Sequence, residues 1–111
     1  MMSYNCICCG AYRDCCGPVY QGNVAVSGTS MNISINAKMC ILSKCGLFRV
    51  NVPTVSSTTT DTVSLVTCCG STAPLYSGVT GAQLTAAGLT AGVTYVVSYD
   101  QYTKKFFVTG V

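Results

Sequence analysis

The stretch Asp61 to Val108, DTVSLVTCCGSTAPLYSGVTGAQLTAAGLTAGVTYVVSYDQYTKKFFV, decides the fold because its clearest pattern is a period of two. In an extended chain, alternate side chains point to opposite sides. One side of this segment carries Val93, Tyr95, Val97 and Tyr99. The pattern predicts a half-buried β-strand.

A turn-compatible segment, Asp100 to Thr103, follows this strand, and Lys104 to Thr109 (KKFFVT) is rich in aromatic and β-branched residues. The chain is therefore predicted to fold back as a hairpin. Because the sequence ends just past Gly110, we expect this last strand to close the fold.

Strand signals also fill the first half of the chain. Val19 to Ser27 and Ser30 to Ala37 flank the turn-like pair Gly28-Thr29, which predicts an antiparallel hairpin. The short apolar run Met39 to Ser43 is typical of a buried strand.

Further strands are predicted on both sides of a polar Ser/Thr loop. Leu47 to Val52 alternates until Pro53 removes a backbone donor. Thr62 to Cys69 and Ala73 to Ser77 follow the loop, and Gln83 to Leu89 allows one short helical turn. The resulting fold class is all-β, a small antiparallel sandwich or barrel of about seven to nine short strands.

Composition limits the function classes. The chain has 111 residues, enough for one domain, with 50% hydrophobic residues, 8% charged residues and a net charge of +3. The positive charges form no cluster long enough to follow a phosphate backbone, so nucleic-acid binding is not expected. Apolar residues alternate with polar ones and form no continuous run long enough for a membrane-spanning helix, so none is predicted.

The catalytic inventory is small. The sequence contains no His and no Glu, and its three Asp residues lie near predicted turns or strand starts. A cysteine nucleophile normally needs a nearby base such as His to raise its thiolate fraction. We therefore predict that the protein is not an enzyme and has no catalytic residues.

The first 18 residues carry five of the nine cysteines, in the pattern C-x-C-C-G-x4-C-C-G-P. Glycine and proline end each cluster, which is typical of an irregular segment. We predict that residues 1–18 form an anchoring arm and residues 19–111 a β domain. The cysteines of the arm are Cys6, Cys8, Cys9, Cys15 and Cys16.

Three interpretations of the cysteines stay open. Disulfides would join the arm to the β domain, whose receiving cysteines are Cys40, Cys45, Cys68 and Cys69. Alternatively, four of the five arm sulfurs would bind zinc, although the paired C-x2-C spacing of zinc knuckles is missing. Cys40, Cys45 and Cys68 are also compatible with simple buried apolar packing. No cofactor is expected outside the zinc alternative.

The sequence shows no secretory targeting segment, so we expect synthesis in the cytoplasm. Cytoplasmic thiols stay reduced, whereas a protein released from the cell by lysis meets oxidising conditions. Release of this kind is compatible with both the missing signal and the many cysteines.

The start CICCGAYRDCCGPVYQGNV, the central TVSLVTCCGSTAPLY and the final LTAAGLTAGVTYVVSYDQYTKKFFV together resemble small virion accessory proteins of tailed bacteriophages and prophages of gut Firmicutes. The segment Leu89 to Asp100, with Phe106, Phe107 and Val108 after it, is similar to the last hairpin of phage decoration, head-fibre and tail-associated β domains. The resemblance implies a structural protein bound to a capsid or tail.

From this resemblance we expect a virion location, contacts with other capsid or tail proteins, and a homo-oligomer that presents a surface to host glycans. Two other hypotheses remain. One is a thiolate zinc-binding or redox module of the host cell, and the other is a disulfide-cross-linked surface or spore-coat protein.

Overall fold

The computed structural model describes residues 19–68 and 70–111, which contain eight β-strands, one α-helix and a short 3-10 helix. The predicted arm and Cys69 lie outside these residues. The elements in chain order are β1 (Val19–Gln21), β2 (Asn23–Ser27), β3 (Ser30–Ser34), α1 (Met39–Cys45), β4 (Leu47–Val52), β5 (Thr62–Val66), β6 (Thr72–Ser77), the 3-10 helix (Ala86–Gly88), β7 (Val93–Asp100) and β8 (Lys105–Val108).

The eight strands form one nearly closed, barrel-like sheet in the order β1-β4-β7-β8-β6-β5-β3-β2. The strands at the two ends of this order, β1 and β2, are consecutive parts of one extended segment. This segment pairs with β4 through its first half and with β3 through its second half. Because it pairs with β4 near one end of the strand order and with β3 near the other, this segment nearly closes the sheet into a barrel.

Gly22 is the residue at which this segment changes partners. Its N–H donates to the backbone oxygen of Asn51 at 2.9 Å. A Cβ atom here would lie 2.7 Å from that oxygen and 2.8 Å from a methyl group of Ile33. The close approach of the two strands thus requires glycine.

The prediction of an all-β fold is confirmed, with a strand count inside the predicted range. The ladder is mixed, however, and not purely antiparallel. Strand pairs β1/β4, β3/β5 and β6/β8 are parallel, and the other four pairs are antiparallel. The period of two that predicts a strand is the same in both pairings, so the pattern did not reveal the difference.

Both predicted hairpins form. Gly28 has a φ of 61° in the two-residue turn between β2 and β3, as expected for a glycine that opens a tight hairpin. β7 pairs antiparallel with β8, and Lys104 takes a φ of 59° in the turn between them. The expectation that the last strand closes the fold is wrong, because β8 lies inside the sheet between β7 and β6.

The predicted strand at Met39 to Ser43 is also wrong, because these residues belong to α1. A short apolar run does not distinguish a buried strand from a helical turn. Here Ile41 and Leu42 are buried, and Gly46, with a φ of 77°, ends the helix by donating to the carbonyl of Leu42. A glycine in this conformation is a common helix stop.

The barrel interior is filled by the alternating side chains that the sequence pattern predicted. Its aromatic part is a cluster in which the rings of Phe48 and Phe106 lie 5.7 Å apart, edge to face. The ring of Tyr99 lies tilted against Phe106 at 4.8 Å, and the ring of Tyr20 meets Phe48 edge to face at 6.2 Å. Pairs of this kind add to the apolar burial that stabilises the core.

Candidate functional site

The strand directions divide the connections between two ends of the barrel. One end, here called the cysteine end, consists of α1, the turn at residues 67–71 and the hairpin tip at residues 101–104. The opposite end, here called the hydroxyl end, consists of the β2–β3 turn and the loops at residues 53–61 and 78–92. The two ends differ in chemistry, so each is a candidate surface for a separate role.

Cysteines gather at the cysteine end although they are far apart in sequence. Cys40 and Cys45 lie in the first and last turns of α1, and Cys68 lies in the turn that follows β5. The N–H of Cys68 donates to the backbone oxygen of Ala37 at 2.9 Å, which joins this turn to the segment preceding α1. All three side chains are half-buried.

Val19, the first described residue, lies at this same end. β1 is parallel to β4, which begins directly after α1, so Val19 lies near the helix end of the barrel. Each of Cys40, Cys45 and Cys68 has an interaction partner. The topology therefore places the described cysteines at the same end of the barrel as Val19.

The zinc prediction for Cys6, Cys8, Cys9, Cys15 and Cys16 concerns residues outside the described part of the chain and stays a prediction. Within residues 19–68 and 70–111, no group of three or more His, Cys, Asp or Glu side chains is arranged to hold a metal ion. The disulfide prediction that includes Cys69 likewise concerns a residue outside this part.

The hairpin tip beside the cysteines is ordered by Asp100. Its carboxylate accepts from the N–H of Tyr102 at 2.9 Å and from the hydroxyl of Thr103 at 3.1 Å. Its backbone oxygen accepts from the N–H of Lys104 at 2.7 Å. This turn leaves Tyr102 88% exposed, so an aromatic ring projects from the cysteine end.

At the hydroxyl end, the loop at residues 53–61 is fixed by one buried carboxylate. Asp61 is only 3% exposed and accepts from the hydroxyl of Ser56 at 2.6 Å. Its backbone N–H donates to Thr58, and its backbone oxygen accepts from Ala86 in the 3-10 helix. Asp61 thus ties this loop to its neighbour and holds the exposed Ser/Thr residues in place.

The loop at residues 78–92 is held by two further hydroxyl groups. The hydroxyl of Ser77 donates to the backbone oxygen of Val111 at 2.6 Å and accepts from the N–H groups of Val79 and Thr80. The hydroxyl of Tyr95 accepts from the N–H of Thr90 at 2.6 Å. Hydroxyl groups therefore order this end, and residues 28–29, 53–60 and 78–92 carry no charged side chain.

The space inside the barrel does not suit a polar ligand. A narrow gap beside Tyr95 is lined by apolar side chains that include Val50, Leu65 and Val97. The Tyr95 hydroxyl is used by Thr90, so it does not point a polar group into the gap. Ligand sites normally combine apolar walls with a few polar groups that orient the ligand.

These features define a small β-barrel protein whose described cysteines lie at one end and whose hydroxyl-rich loops lie at the other. Comparisons with protein-family models, curated proteins and solved structures find no match for this chain. In the part that the structure describes, no helix is long and apolar enough to span a membrane.

Sequence reasoning named the cysteines but missed the polar groups that order the hydroxyl end. The alternating pattern assigns Asp61 only to a strand start and Ser77 only to the end of a strand. A signal for Asp61 was present, because an Asp after a Ser/Thr run often organises a turn through its side chain. The sequence could not show that Asp61 is buried, because its backbone oxygen is bound by Ala86 of the 3-10 helix, 25 residues further along the chain.

Proposed function

We propose that this protein is a non-enzymatic structural component of a bacteriophage particle, either a capsid decoration protein or a head-fibre or tail-associated protein. The observation that supports the proposal best is the separation of two chemically different ends on one rigid barrel. A protein attached by one end presents the other end to the surroundings, and the resemblance described above points to phage particles.

In this proposal the cysteine end is the attachment side. Cys40 and Cys45 receive disulfides from the cysteine-rich arm after the particle leaves the reducing cytoplasm. Such disulfides would fix the arm, or join it to a neighbouring subunit, by limiting the freedom of the unbound chain. The exposed ring of Tyr102 lies on the same side and is suited to a protein contact.

The hydroxyl end is the presented side. Its loop at residues 53–61 carries exposed Ser57, Thr58, Thr59 and Thr60, held in place through Asp61. Hydroxyl groups without nearby charge suit hydrogen bonding to a neutral partner such as a host-surface glycan. This end therefore supports an adhesive role for the particle.

A particle-binding experiment tests the proposal. Tagged protein is mixed with purified particles from a phage whose copy of this gene is deleted, and binding is measured by co-sedimentation. We expect saturable binding that is weakened by the double variant Cys40→Ser and Cys45→Ser. The matched variant Thr58→Ala, Thr59→Ala and Thr60→Ala should bind particles normally but reduce their adhesion to host cells.

Two results would count against the proposal. The first is that mass spectrometry fails to find the protein in purified wild-type particles. The second is that neither set of substitutions changes binding or adhesion while both variants keep the wild-type melting temperature.

A further inference from the structure

The outer edge of β2 is an interaction surface of a defined kind. β2 is the last strand in the sheet order and hydrogen-bonds to β3 on one side only. Among the described residues, no backbone hydrogen bond reaches its other side. An edge of this kind presents N–H and C=O groups that another strand can pair with.

The hairpin geometry identifies which groups face this edge. The two-residue turn closes on the pair Ser27 and Ser30, so Ser27, Ala25 and Asn23 direct their backbone groups toward β3. The N–H and C=O groups of Val24 and Val26 therefore point to the open edge. Val26 is also 53% exposed, so its side chain is available for packing.

The residues of β2 themselves provide no charge, proline or bulge that would protect this edge. Natural edge strands are commonly protected by charged residues, proline or a bulge. The strand reads NVAVS, and the chain has no charged residue between Asp14 and Lys38. A second copy of the same strand can therefore approach without placing like charges opposite each other.

We infer that β2 pairs with β2 of a second copy of this chain in an antiparallel arrangement, with the two-fold axis at Ala25. In this register Val24 of each copy lies opposite Val26 of the other, and each such pair exchanges two backbone hydrogen bonds. The two Ala25 residues form the closely spaced pair at the axis, where a small side chain fits. The apolar Val24 and Val26 side chains then continue the inner face of one sheet into the next.

The contact is small, because a five-residue edge buries far less than the roughly 800 Å² per partner of a standard interface. We therefore expect weak association in dilute solution. Copies held side by side on a surface would pair much more readily, since attachment raises their effective concentration. The inference does not depend on which surface holds them, and it stands apart from the virion proposal.

The test uses the purified full chain, alkylated so that no new disulfides form. Sedimentation velocity measures mass against concentration, and hydrogen exchange measures each amide. We expect the mass to rise with concentration toward that of a dimer. The Val24 and Val26 amides should gain protection over the same range, whereas the Ala25 and Ser27 amides should be protected at every concentration.

Two variants make the test specific. Val26→Pro removes a donor from the open edge only, and Ala25→Lys places two lysines opposite each other across the axis. Both should abolish the concentration-dependent increase in mass while leaving the melting temperature nearly unchanged. Gln101→Lys adds the same charge at the exposed hairpin tip and should associate like the wild type.

A mass that stays monomeric at all concentrations would overturn the inference. It would also be overturned if Val24 and Val26 were protected independently of concentration, because the edge would then be covered within one chain. Association that persists in Ala25→Lys would assign the contact to another surface.

Discussion

The two ends of the barrel share the same eight strands but are built from different chemistry. At the hydroxyl end, Asp61 and Ser77 fix the loops through short hydrogen bonds of 2.6 Å, to Ser56 in the same loop and to Val111 respectively. At the cysteine end, α1 and the turn that carries Cys68 place cysteines from distant parts of the sequence on the same side of the barrel. One end is thus ordered by hydroxyl and carboxylate groups, and the other collects residues that respond to oxidation.

Because the two ends are ordered by different chemical groups, they should respond to different conditions. Hydrogen bonds among hydroxyl, carboxylate and backbone groups do not depend on redox potential, whereas thiol chemistry does. A barrel arranged this way can change its cysteine end without changing its hydroxyl end. Substitutions in the shared core should remove this independence, and changes at one end should measure it.

The largest effect is expected from Phe106→Ala, which should remove the independence. Phe106 is 1% exposed and contacts the rings of Phe48 and Tyr99 in the core that both ends share. Truncating a buried aromatic ring leaves a cavity and costs about 3–5 kcal/mol. Chemical denaturation should show this loss, and hydrogen exchange should show faster opening at both ends.

Phe106→Leu is the control, because it keeps an apolar side chain in the same place and should cost clearly less. If Phe106→Ala accelerates exchange at one end only, the two ends do not share a single cooperative core.

The sequence predicted the part of the fold that depends on local alternation. Residues such as Phe48, Val50 and Val97 are buried as the period of two requires. The parallel pairs and the place of β8 were not predictable in this way, because they depend on which strands meet across the barrel. Gly22 shows why: only the backbone of β4 beside it reveals that glycine is required there.

The candidate site was predicted in its residue types but not in its arrangement. Cys40, Cys45 and Cys68 stand out in the sequence, yet their position at one end follows from the directions of β3, β4 and β5. The strand predicted at Met39 to Ser43 does not indicate this position. In the structure these residues belong to α1, and this helix carries Cys40 and Cys45 at the cysteine end.

Addition of a reductant should change only the cysteine end. If the proposed disulfides form, reductant should lower the free energy of unfolding by about 2–4 kcal/mol for each bridge that is lost. Hydrogen exchange should accelerate at α1 and at the turn of residues 67–71. The amides of the loop at residues 53–61 should be unaffected at low denaturant.

The control for reduction is Cys40→Ser, which should reproduce part of the loss without reductant. A chelator distinguishes the alternative hypothesis, because loss of a structural zinc would destabilise the protein while its thiols remain reduced. Stability that changes with neither treatment would contradict the disulfide and zinc interpretations and favour simple apolar packing of the cysteines.

The smallest of the three effects is expected from Asp61→Ala, which changes only the hydroxyl end. This substitution removes the acceptor of the Ser56 hydroxyl from a buried position and should cost about 1–3 kcal/mol. Ser56→Ala removes the donor at the other side of the same bond, and the double variant measures their coupling. Exchange should accelerate in the loop at residues 53–61 while α1 keeps its wild-type rate, in reducing and oxidising buffer alike. An Asp61→Ala variant whose α1 amides also exchange faster would show that the hydroxyl end supports the cysteine end through the barrel, and the two ends would then have to be treated as one site.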